Sequence, residues 1–410
     1  MDSIYNNSCL ICGNKNLTQY IDLKKQPLAN SFHHGEELKT YPLKLNVCNV
    51  CWHSQLSVSV DPSELFEHYL YISDTTKTLE DYFKWVTEYV IKDSNINKGK
   101  VLEIACNSGL LLEMFKNKGF DSYGVDPAKN LRILSENRQL NVYVNYWDSD
   151  TNVKIRNDIG KVNLILAFHV LPHVQNPMEF ISLCYDNITD DGKIYIQTSQ
   201  CDMFLNGEFD VIYHEHTSYF TAYSILELAH RNNLFVNSII KTNIHGKSFL
   251  FSLQKKKCTE TQINELIHEE LTHNLYNIET YIKFGTNAIK LKTKLTHDLS
   301  DYKKNNYVIV GYGAAAKGNT LLNYIEYPID YIIDDNEMKQ GYLTPGMNIP
   351  VCSINKLKDE SNNICFIPLA WNFYAEIKER IIKVRNITND VFIKYFPEYI
   401  IDTNQIKLNS

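Results

Sequence analysis

One ten-residue stretch, Lys100-Val101-Leu102-Glu103-Ile104-Ala105-Cys106-Asn107-Ser108-Gly109, predicts a β-strand, a tight turn and the start of a helix. The chain then reaches Gly124-Val125-Asp126-Pro127, where Asp126 lies 17 residues past Gly109. In an open α/β sheet, such a turn passes close under a nucleoside, and the following carboxylate accepts hydrogen bonds from the ribose hydroxyls. The interval suits one intervening helix. The alternative is an ordinary βαβ unit in which Asp126 caps a helix.

Two further strands are predicted at Val162–Phe168 and at 193–197. Ligands of α/β sheets sit at the carboxyl ends of the strands, so His173, shortly after the first strand, is expected to reach the site. The second strand leads through residues 202–208 into Asp210-Val211-Ile212-Tyr213-His214-Glu215-His216-Thr217-Ser218-Tyr219-Phe220. These strands therefore predict that His169, His173, His216 and Glu215 gather near one pocket.

The residues from Tyr213 to Tyr219 include two histidines, a carboxylate and two phenols. Groups of this kind remove a proton from carbon and stabilise the charge that develops, which is the work of a general base and its partners. A helical zinc pair needs two histidines a full turn apart, whereas His214 and His216 are two positions apart. The competing interpretation is a polar surface loop.

Two C-x-x-C pairs lie near the start of the chain, Cys9 with Cys12 and Cys48 with Cys51. Two such knuckles form a closed tetrahedral zinc site, with no open position for chemistry. The six other cysteines are scattered, so the pattern indicates a metal site and core thiols instead of a disulfide framework. His53 is an alternative ligand that the fourth cysteine makes unnecessary. The zinc would hold together a segment that is too small for a large core.

Composition and charge narrow the class of protein. A length of 410 residues allows two or three domains, and 44% hydrophobic residues are enough for buried cores. The net charge of −7, without a basic run, argues against a nucleic-acid partner. The N-terminus resembles no signal peptide, and no apolar run is long enough to span a bilayer. We therefore expect a cytoplasmic protein with no membrane partner, for which a monomer is compatible with the sequence.

Near the C-terminus, the motif Gly311-Tyr312-Gly313-Ala314-Ala315-Ala316-Lys317-Gly318 follows a predicted strand. Asp334 follows the next predicted strand, Tyr331–Ile333, at about the 20-residue interval of dinucleotide-binding folds. A glycine-rich turn at a helix N-terminus also binds other phosphates, and Lys317 adds a cation there. Between this region and the central one, the charged residues 256–303 carry apolar positions at helical spacing, which predicts helices that join two domains.

Taken together, these motifs resemble the three-domain nucleotide-sugar C-methyltransferases of deoxysugar pathways. The resemblance runs along nearly the whole chain and rests on an ordered set of motifs. They are Cys9-x-x-Cys12, Gln26-Pro27-Leu28-Ala29-Asn30-Ser31-Phe32, Cys48-x-x-Cys51, Glu103 to Gly109, Gly124-Val125-Asp126-Pro127, Val170-Leu171-Pro172-His173, Tyr213-His214-Glu215-His216-x-x-Tyr219-Phe220, His245-Gly246-x-Ser248, Gly311 to Gly318 and Trp371-Asn372-Phe373. The chain departs from the family pattern at Ser108, at Phe168-His169 and at Gln197-Thr198-Ser199, which lie at the pocket edge.

The resemblance implies an α/β protein with a small N-terminal zinc-binding domain at 1–75 and a central Rossmann-like S-adenosylmethionine (SAM) methyltransferase domain at 76–255. These are followed by a helical connector at 256–303. The last domain, at 304–410, would be a C-terminal Rossmann-like α/β domain that holds the nucleotide sugar. The family methylates the carbon next to the ketone of a 4-keto-6-deoxyhexose, usually C3. The nucleotide would be dTDP, GDP or CDP.

The resemblance also assigns roles to residues. The catalytic set is His216 as base with Tyr213, Glu215, His173 and Tyr71 around it. The residues expected to bind the SAM cofactor are Glu103, Ala105, Asn107, Gly109 and Asp126. Those expected to bind the substrate are His245, Ser248, Gly313, Ala314, Lys317, Asp334 and Asn372. The metal ligands are Cys9, Cys12, Cys48 and Cys51, for a structural Zn²⁺.

Two other functions fit parts of the sequence. An NAD-dependent nucleotide-sugar oxidoreductase would use the glycine-rich turn at Gly311 to Gly318, but it would leave the central motif and the cysteine pairs without a role. A non-catalytic, zinc-stabilised protein that binds nucleotides would leave the cluster at 213–219 unexplained. The sequence therefore favours the methyltransferase.

Overall fold

The computed structural model describes residues 3–66, 77–244, 246–385 and 389–403. Its strands, numbered in chain order, are β1 (Ser3–Tyr5), β2 (Leu17–Pro27), β3 (Thr40–Cys48), β4 (Ser54–Leu56), β5 (Val58–Val60), β6 (Lys100–Ile104), β7 (Asp121–Val125), β8 (Asn141–Tyr143), β9 (Val162–Phe168), β10 (Ile188–Thr198), β11 (Ser218–Tyr219), β12 (Phe235–Thr242), β13 (Ser248–Gln254), β14 (Val308–Tyr312), β15 (Tyr331–Ile333), β16 (Val351–Cys352), β17 (Ile364–Pro368), β18 (Val391–Lys394) and β19 (Ile400–Thr403).

The α-helices of the described ranges alternate with these strands. They are α1 (Pro62–Phe66), α2 (Lys77–Ser94), α3 (Leu110–Asn117), α4 (Arg132–Asn137), α5 (Ser149–Ile159), α6 (Pro177–Asn187), α7 (Met203–Asn206), α8 (Ala222–Arg231), α9 (Thr261–Thr272), α10 (Ile278–Lys304), α11 (Ala316–Ile325) and α12 (Tyr374–Val384). The expected α/β class is confirmed. Among the helices that the structure describes, we find none with the length and apolarity needed to cross a membrane.

The chain forms two compact units. The first consists of Met1–Thr18, Asn46–Cys201 and Glu215–Tyr276, and the second of Gln19–Leu45, Asp202–His214 and Asn277–Ser410. The sequence between the two cysteine pairs therefore groups mostly with the C-terminal region. The stretch from 210 to 220, predicted as a single cluster, is divided between the units after His214.

A seven-stranded sheet forms the centre of the first unit, in the order β12-β13-β10-β9-β6-β7-β8. The five strands β6 to β10 pair in parallel, and β13 joins β10 antiparallel. The parallel pairing agrees with the composition of β9. Its run Val162–Phe168 is apolar almost throughout and is buried along most of its length, as expected when helices cover both faces of a parallel sheet. The strand order reverses between β6 and β9, where α/β sheets usually bind ligands.

The second unit contains a six-stranded sheet in the order β16-β15-β14-β17-β18-β19, parallel except for β19. Its strand order reverses between β14 and β17. Helix α10, with 27 residues, begins after Asn277, whose side chain accepts a hydrogen bond from the backbone N–H of Glu279. Gly285 lets this helix lie close to the backbone of β2, since a Cβ at position 285 would lie 2.0 Å from the carbonyl oxygen of Tyr20.

Candidate active site

A cavity of about 600 Å³ opens at the carboxyl end of the seven-stranded sheet. Its walls come from the segments that directly follow β6, β7, β8 and β9, with contributions from α2 and α6. The polar residues of this lining include Glu103, Asn107, Asp126, Asn145, Asp148, His169, His173, Gln175 and Glu179. The volume suits a ligand of cofactor size, and the position is the one that the strand-order reversal predicts.

The turn after β6 has an unusual backbone. Ala105, Asn107 and Gly109 all adopt positive φ, at 57°, 50° and 82°. Only a few per cent of non-glycine residues hold this conformation, so two of them within one turn are unusual. At Gly109 another residue would be strained by the positive φ, and its Cβ would lie 2.4 Å from Cδ1 of Leu140, which would have to shift. The turn therefore brings its backbone to the edge of the cavity.

Asp126 ties this turn to β7. Its Oδ2 accepts a hydrogen bond from the backbone N–H of Asn107 at 2.8 Å, and its Oδ1 accepts one from Ala128 at 2.9 Å. A carboxylate oxygen has more than one lone pair, so each can still accept a bond from a ligand hydroxyl. The predicted cofactor residues Glu103, Ala105, Asn107 and Asp126 all line this cavity.

The electrostatics of the cavity suit a cationic ligand. Burial, with a contribution from the neighbouring Asp126, raises the pKa of the Glu103 carboxyl well above its ordinary value. Burial also raises the pKa of Asp126. Within the part of the chain that the structure describes, Oε2 of Glu103 has no hydrogen-bond partner. A ligand with an ammonium or sulfonium group would relieve both carboxylates, so the residues fit SAM.

We expect Asp126→Ala to weaken SAM binding by about 10- to 100-fold, since a hydrogen bond to a charged group contributes roughly 1.5–3 kcal/mol. Isothermal titration of the folded variant with SAM measures this loss. The matched control is Asp121→Ala, an exposed aspartate at the other end of the same strand, which should leave the affinity unchanged. Equal affinity of the Asp126 variant and the natural protein would contradict the assignment.

Two histidines come together beside this cavity. His173 lines it, and its ring centroid lies 4.9 Å from that of His216 with the planes 40° apart. Nδ1 of His173 donates a hydrogen bond to the backbone carbonyl of Glu215 at 2.7 Å. Desolvation lowers the pKa of His173, so this imidazole favours its neutral form. The amide nitrogen of Gln200 lies 3.0 Å from Nδ1 of His216.

The other predicted catalytic residues are placed differently. Glu215 is buried in the first unit, next to His216, and Tyr213 is half-buried in the second unit. Tyr71 lies outside the described residues, as does His245, which was predicted to bind substrate. Ser248, also predicted to bind substrate, is fully buried, and its hydroxyl donates to the carbonyl of Ile244 at 2.8 Å.

The four N-terminal cysteines form a single cluster, in which all ligand sulfurs lie within 4.8 Å of one another. Sγ of Cys9 is 3.4 Å from Sγ of Cys51, and Sγ of Cys12 is 3.5 Å from Sγ of Cys48. A tetrahedral site with Zn–S bonds of about 2.3 Å has edges of nearly this length, so the residues fit a structural zinc ion. His53 is not in this group, and its Nε2 pairs with the hydroxyl of Ser218 at 3.2 Å.

In the second unit, the glycine-rich turn is packed against protein. A Cβ at Gly313 would lie 2.9 Å from Cβ of Ala370, and one at Gly318 would lie 2.8 Å from Cβ of Leu369. The backbone N–H of Gly313 donates to the carbonyl of Ile333 at 2.7 Å. These glycines therefore serve the close contact with the end of β17.

Asp334 is bound within the same turn. Its Oδ2 accepts the backbone N–H of Ala314 at 2.6 Å, and its Oδ1 accepts that of Asn336 at 2.8 Å. Nζ of Lys339 donates to the carbonyl of Ala314 at 2.8 Å. In a dinucleotide-binding fold this carboxylate also accepts the ribose hydroxyls, and the turn N–H groups face the pyrophosphate. Asp126 makes the same pair of backbone contacts in the turn after β6, so these contacts by themselves do not decide against the oxidoreductase alternative.

Lys317 lies at the start of α11. The helix begins at Ala316, and the preceding residue supplies no side-chain cap, so the first N–H groups of the helix favour an anion. Nζ of Lys317 lies 4.1 Å from the ring centroid of Trp371 and donates to Oδ1 of Asn372. This arrangement keeps the ammonium group at the N-terminus of the helix.

Beneath this lysine lies Asp210, a fully buried carboxylate. Its Oδ2 accepts hydrogen bonds from Nε1 of Trp371 at 2.7 Å and from the hydroxyl of Tyr395 at 3.2 Å. Burial raises the pKa of Asp210 to about 7, against the opposing effect of Lys317 and these donors. The carboxyl therefore anchors residues 209–211 to the C-terminal sheet of the same unit.

Asp210→Asn tests this carboxyl through the pH dependence of stability. Because the folded pKa is raised, the contribution of the group is fully present below its unfolded value near 3.8 and is lost as the pH rises through about 7. Ionisation would cost the natural protein up to about 4 kcal/mol relative to Asp210→Asn. Thermal unfolding should show the variant gaining stability relative to the natural protein between pH 5 and pH 8. The exposed control Asp359→Asn should show no such gain.

Sequence reasoning missed part of the cavity wall. The segment 145–148, with Tyr146 and Trp147, follows the three-residue strand β8, whose carbonyl at Tyr143 accepts the N–H of Asp126. So short a strand gives little periodic signal. His169, which the sequence did place near the pocket, lines it with a φ of 54°.

Three family models match consecutive parts of the chain. They describe a zinc binding domain at residues 9–66, a methyltransferase domain at 74–239 and a C-methyltransferase C-terminal domain at 243–397.

Among curated proteins, the chain is similar to the C-methyltransferase NovU of Streptomyces niveus, with 24% identity over 381 residues that cover 90% of each chain. It is also similar to a ubiquinone biosynthesis O-methyltransferase of Glaesserella parasuis, with 30% identity over 105 residues, 24% of this chain and 44% of that one. Among solved structures, the magnesium protoporphyrin IX methyltransferase of Synechocystis with bound SAM matches at a TM-score of 0.33 and 12% identity, covering 43% of this chain and 79% of that one.

Proposed function

Since the chain belongs to the SAM-dependent C-methyltransferases with an N-terminal zinc-binding domain, we propose that it methylates a nucleotide-linked 4-keto-6-deoxyhexose. The methyl group would be added to the carbon adjacent to the ketone, at C3. The observation that carries the proposal is the pair of imidazoles at His173 and His216, 4.9 Å apart, beside the cavity lined by Glu103 and Asp126.

In this proposal His216 is the general base. It removes the proton from the carbon next to the ketone, which is acidic because the resulting charge is delocalised onto the ketone oxygen. Tyr213 donates a hydrogen bond to that oxygen, or His173 does so once its Nε2 is also protonated, because its Nδ1–H is already bonded to the carbonyl of Glu215. One well-placed donor contributes roughly 3–4 kcal/mol. Glu215 stabilises the imidazolium. The bound SAM supplies the methyl group, and Glu103 and Asp126 hold it.

The charge of the substrate supports a role for the second unit. A nucleotide sugar carries a pyrophosphate, and the start of α11 with Lys317 offers both N–H groups and a cation. We assign Gly313, Ala314, Lys317 and Asn372 to this end of the substrate. We also keep the division into domains at 1–75, 76–255, 256–303 and 304–410 as a proposal. The ten free cysteines support a reducing compartment such as the cytoplasm.

The test is to incubate the zinc-loaded protein with SAM and a panel of dTDP-, GDP- and CDP-linked 4-keto sugars. Methylation should add one CH₂ to the product mass, and ¹³C-methyl SAM should give a carbon-bound methyl signal coupled to C3. Reactions without SAM and with the Asp126→Ala variant are the controls. A methyl signal on oxygen, or no product with any sugar of the panel, would overturn the proposal.

A further inference from the structure

Gln200 contacts the proposed base. It follows β10 in the first unit, and its amide nitrogen lies 3.0 Å from Nδ1 of His216 and 3.5 Å from Nε2 of the same ring. An atom almost equally distant from both ring nitrogens lies off the lone-pair axis of each. Catalytic hydrogen bonds in ligand-free structures are often misaligned in this way and tighten when substrate binds. The contact identifies Gln200 as a direct neighbour of the imidazole edge.

The backbone of Gln200 is in the left-handed region, with a φ of 65°. For a residue other than glycine this conformation costs on the order of 1 kcal/mol or more. Glycine or asparagine would adopt it more easily. The exposed Gln139 has a similar φ of 56°, so this conformation alone assigns no role to the amide; the contact with His216 is what distinguishes Gln200.

The orientation of the amide decides what that role is. As placed, Nε2 of Gln200 faces His216, while Oε1 is buried and has no hydrogen-bond partner among the described residues. The oxygen and nitrogen of such an amide are assigned from their hydrogen bonds and can be exchanged by a half-turn. After the exchange, Oε1 faces His216 and can accept its Nδ1–H, while the amide nitrogen takes the buried position. The two orientations pair the same number of amide atoms and correspond to opposite tautomers of His216.

We propose that Gln200 is a positioning residue, whose amide oxygen accepts the Nδ1–H of His216 and thereby fixes the tautomer with its lone pair on Nε2. This inference rests on the proposed role of His216 as base. In that tautomer the substrate C–H bond breaks, its proton goes to Nε2 and the electron pair stays on the substrate as an enolate. The opposite tautomer, with hydrogen on Nε2, could not accept the proton there.

The neighbouring histidine shows the same pattern. Nδ1 of His173 donates to the backbone carbonyl of Glu215, so this ring also carries its proton on Nδ1. Among the described residues, the titratable groups next to His216 include His173 and Tyr219, whose ring centroids are 4.9 Å and 6.2 Å from that of His216, and the adjacent Glu215. The amide of Gln200 does not titrate, so it can orient the base without adding charge.

The experiment reads the tautomer directly. Long-range ¹H–¹⁵N correlation spectra of the zinc-loaded, full-length protein with ¹⁵N-labelled histidine should show His216 as the Nδ1–H form, with its signals assigned by their loss in His216→Gln. In Gln200→Leu we expect the two tautomers to mix, and kcat to fall by about 2- to 10-fold with KM little changed, since one neutral hydrogen bond to the base is lost. An Nε2–H form in the natural protein would overturn the proposal, as would a Gln200→Leu variant with an unchanged tautomer and kcat.

Two further variants separate positioning from folding. Gln200→Glu keeps an acceptor for Nδ1–H and adds charge, so it should retain activity and move the pH at which kcat/KM rises upward by about one unit. Gln139→Leu is the matched control, an exposed glutamine with a similar φ of 56°, and it should change neither tautomer nor rate. If the natural protein has the Nδ1–H form but methylates no sugar of the panel, the proposed function fails and the positioning role stands.

Discussion

Replacing Cys9 or Cys48 with serine should abolish zinc binding and unfold the first unit. Structural zinc sites contribute roughly 10–16 kcal/mol of folding free energy in small zinc-binding peptides, whereas a whole domain is stable by only about 5–15 kcal/mol. The loss should spread beyond the metal site. Cys9, Ile11, Cys48 and Cys51 belong to the same buried cluster as Ile165 and other residues of the seven-stranded sheet.

Metal content and thermal unfolding test this expectation together. The natural protein should contain one zinc ion per chain, and the serine variants should contain none and should precipitate or melt at a much lower temperature. Cys258→Ser is the control in the same unit, because Cys258 is half-buried and lies outside the cysteine cluster. A strong chelator should lower the melting temperature of the natural protein and leave that of Cys9→Ser where it is. A fully folded, zinc-free Cys9→Ser protein would show that the site is dispensable.

Local pattern was enough to predict individual elements in both units. Strand β9 has the bounds expected from its continuous apolar run, and β15 has those expected from Tyr331–Ile333. Apolar residues recur at helical spacing between Leu79 and Ile91, which predicts a helix there, and α2 extends this stretch at each end, to Lys77–Ser94. Such elements are decided by the residues within them, through periodicity and burial.

Local sequence patterns did not predict which distant segments of the chain belong to the same compact unit. Residues 19–45 lie between the two cysteine pairs yet belong to the second unit, and the 213–219 cluster is divided after His214. Contacts between segments that are distant in sequence depend on which surfaces of helices and strands pack together. The hydrophobic periodicity of one segment does not indicate its packing partner. The roles predicted for the individual site residues remain predictions.

The glycine motif of the second unit shows a related difficulty. Its spacing matches a dinucleotide-binding turn, and Asp334 stands at the expected interval. The structure uses Asp334 to hold the N–H of Ala314 and uses Gly313 and Gly318 for packing against residues 369–370. The same motif therefore also serves a tight strand–helix contact, which its spacing alone does not reveal.

His216→Ala should lower kcat for methyl transfer by about 10²- to 10⁴-fold, the usual contribution of a general base. Binding of SAM should be unchanged, since the cofactor residues Glu103 and Asp126 remain. The matched control is His297→Ala, a histidine on α10 whose side chain is 72% exposed, which should retain full turnover. Near-normal turnover of His216→Ala would show that His216 is not the general base.

Proton abstraction and methyl transfer can be measured separately, and this gives the sharper form of the prediction. In deuterium oxide, the natural protein should exchange the C3 hydrogen of the 4-keto sugar, because the base acts on the substrate carbon itself. His216→Ala should lose both this exchange and the methylation. Asp126→Ala should lose most of the methylation at limiting SAM but keep the exchange, because its carboxylate lies in the cofactor cavity. If His216→Ala kept the exchange, a group other than His216 would remove the proton. If Asp126→Ala also lost the exchange, proton removal would require the bound cofactor.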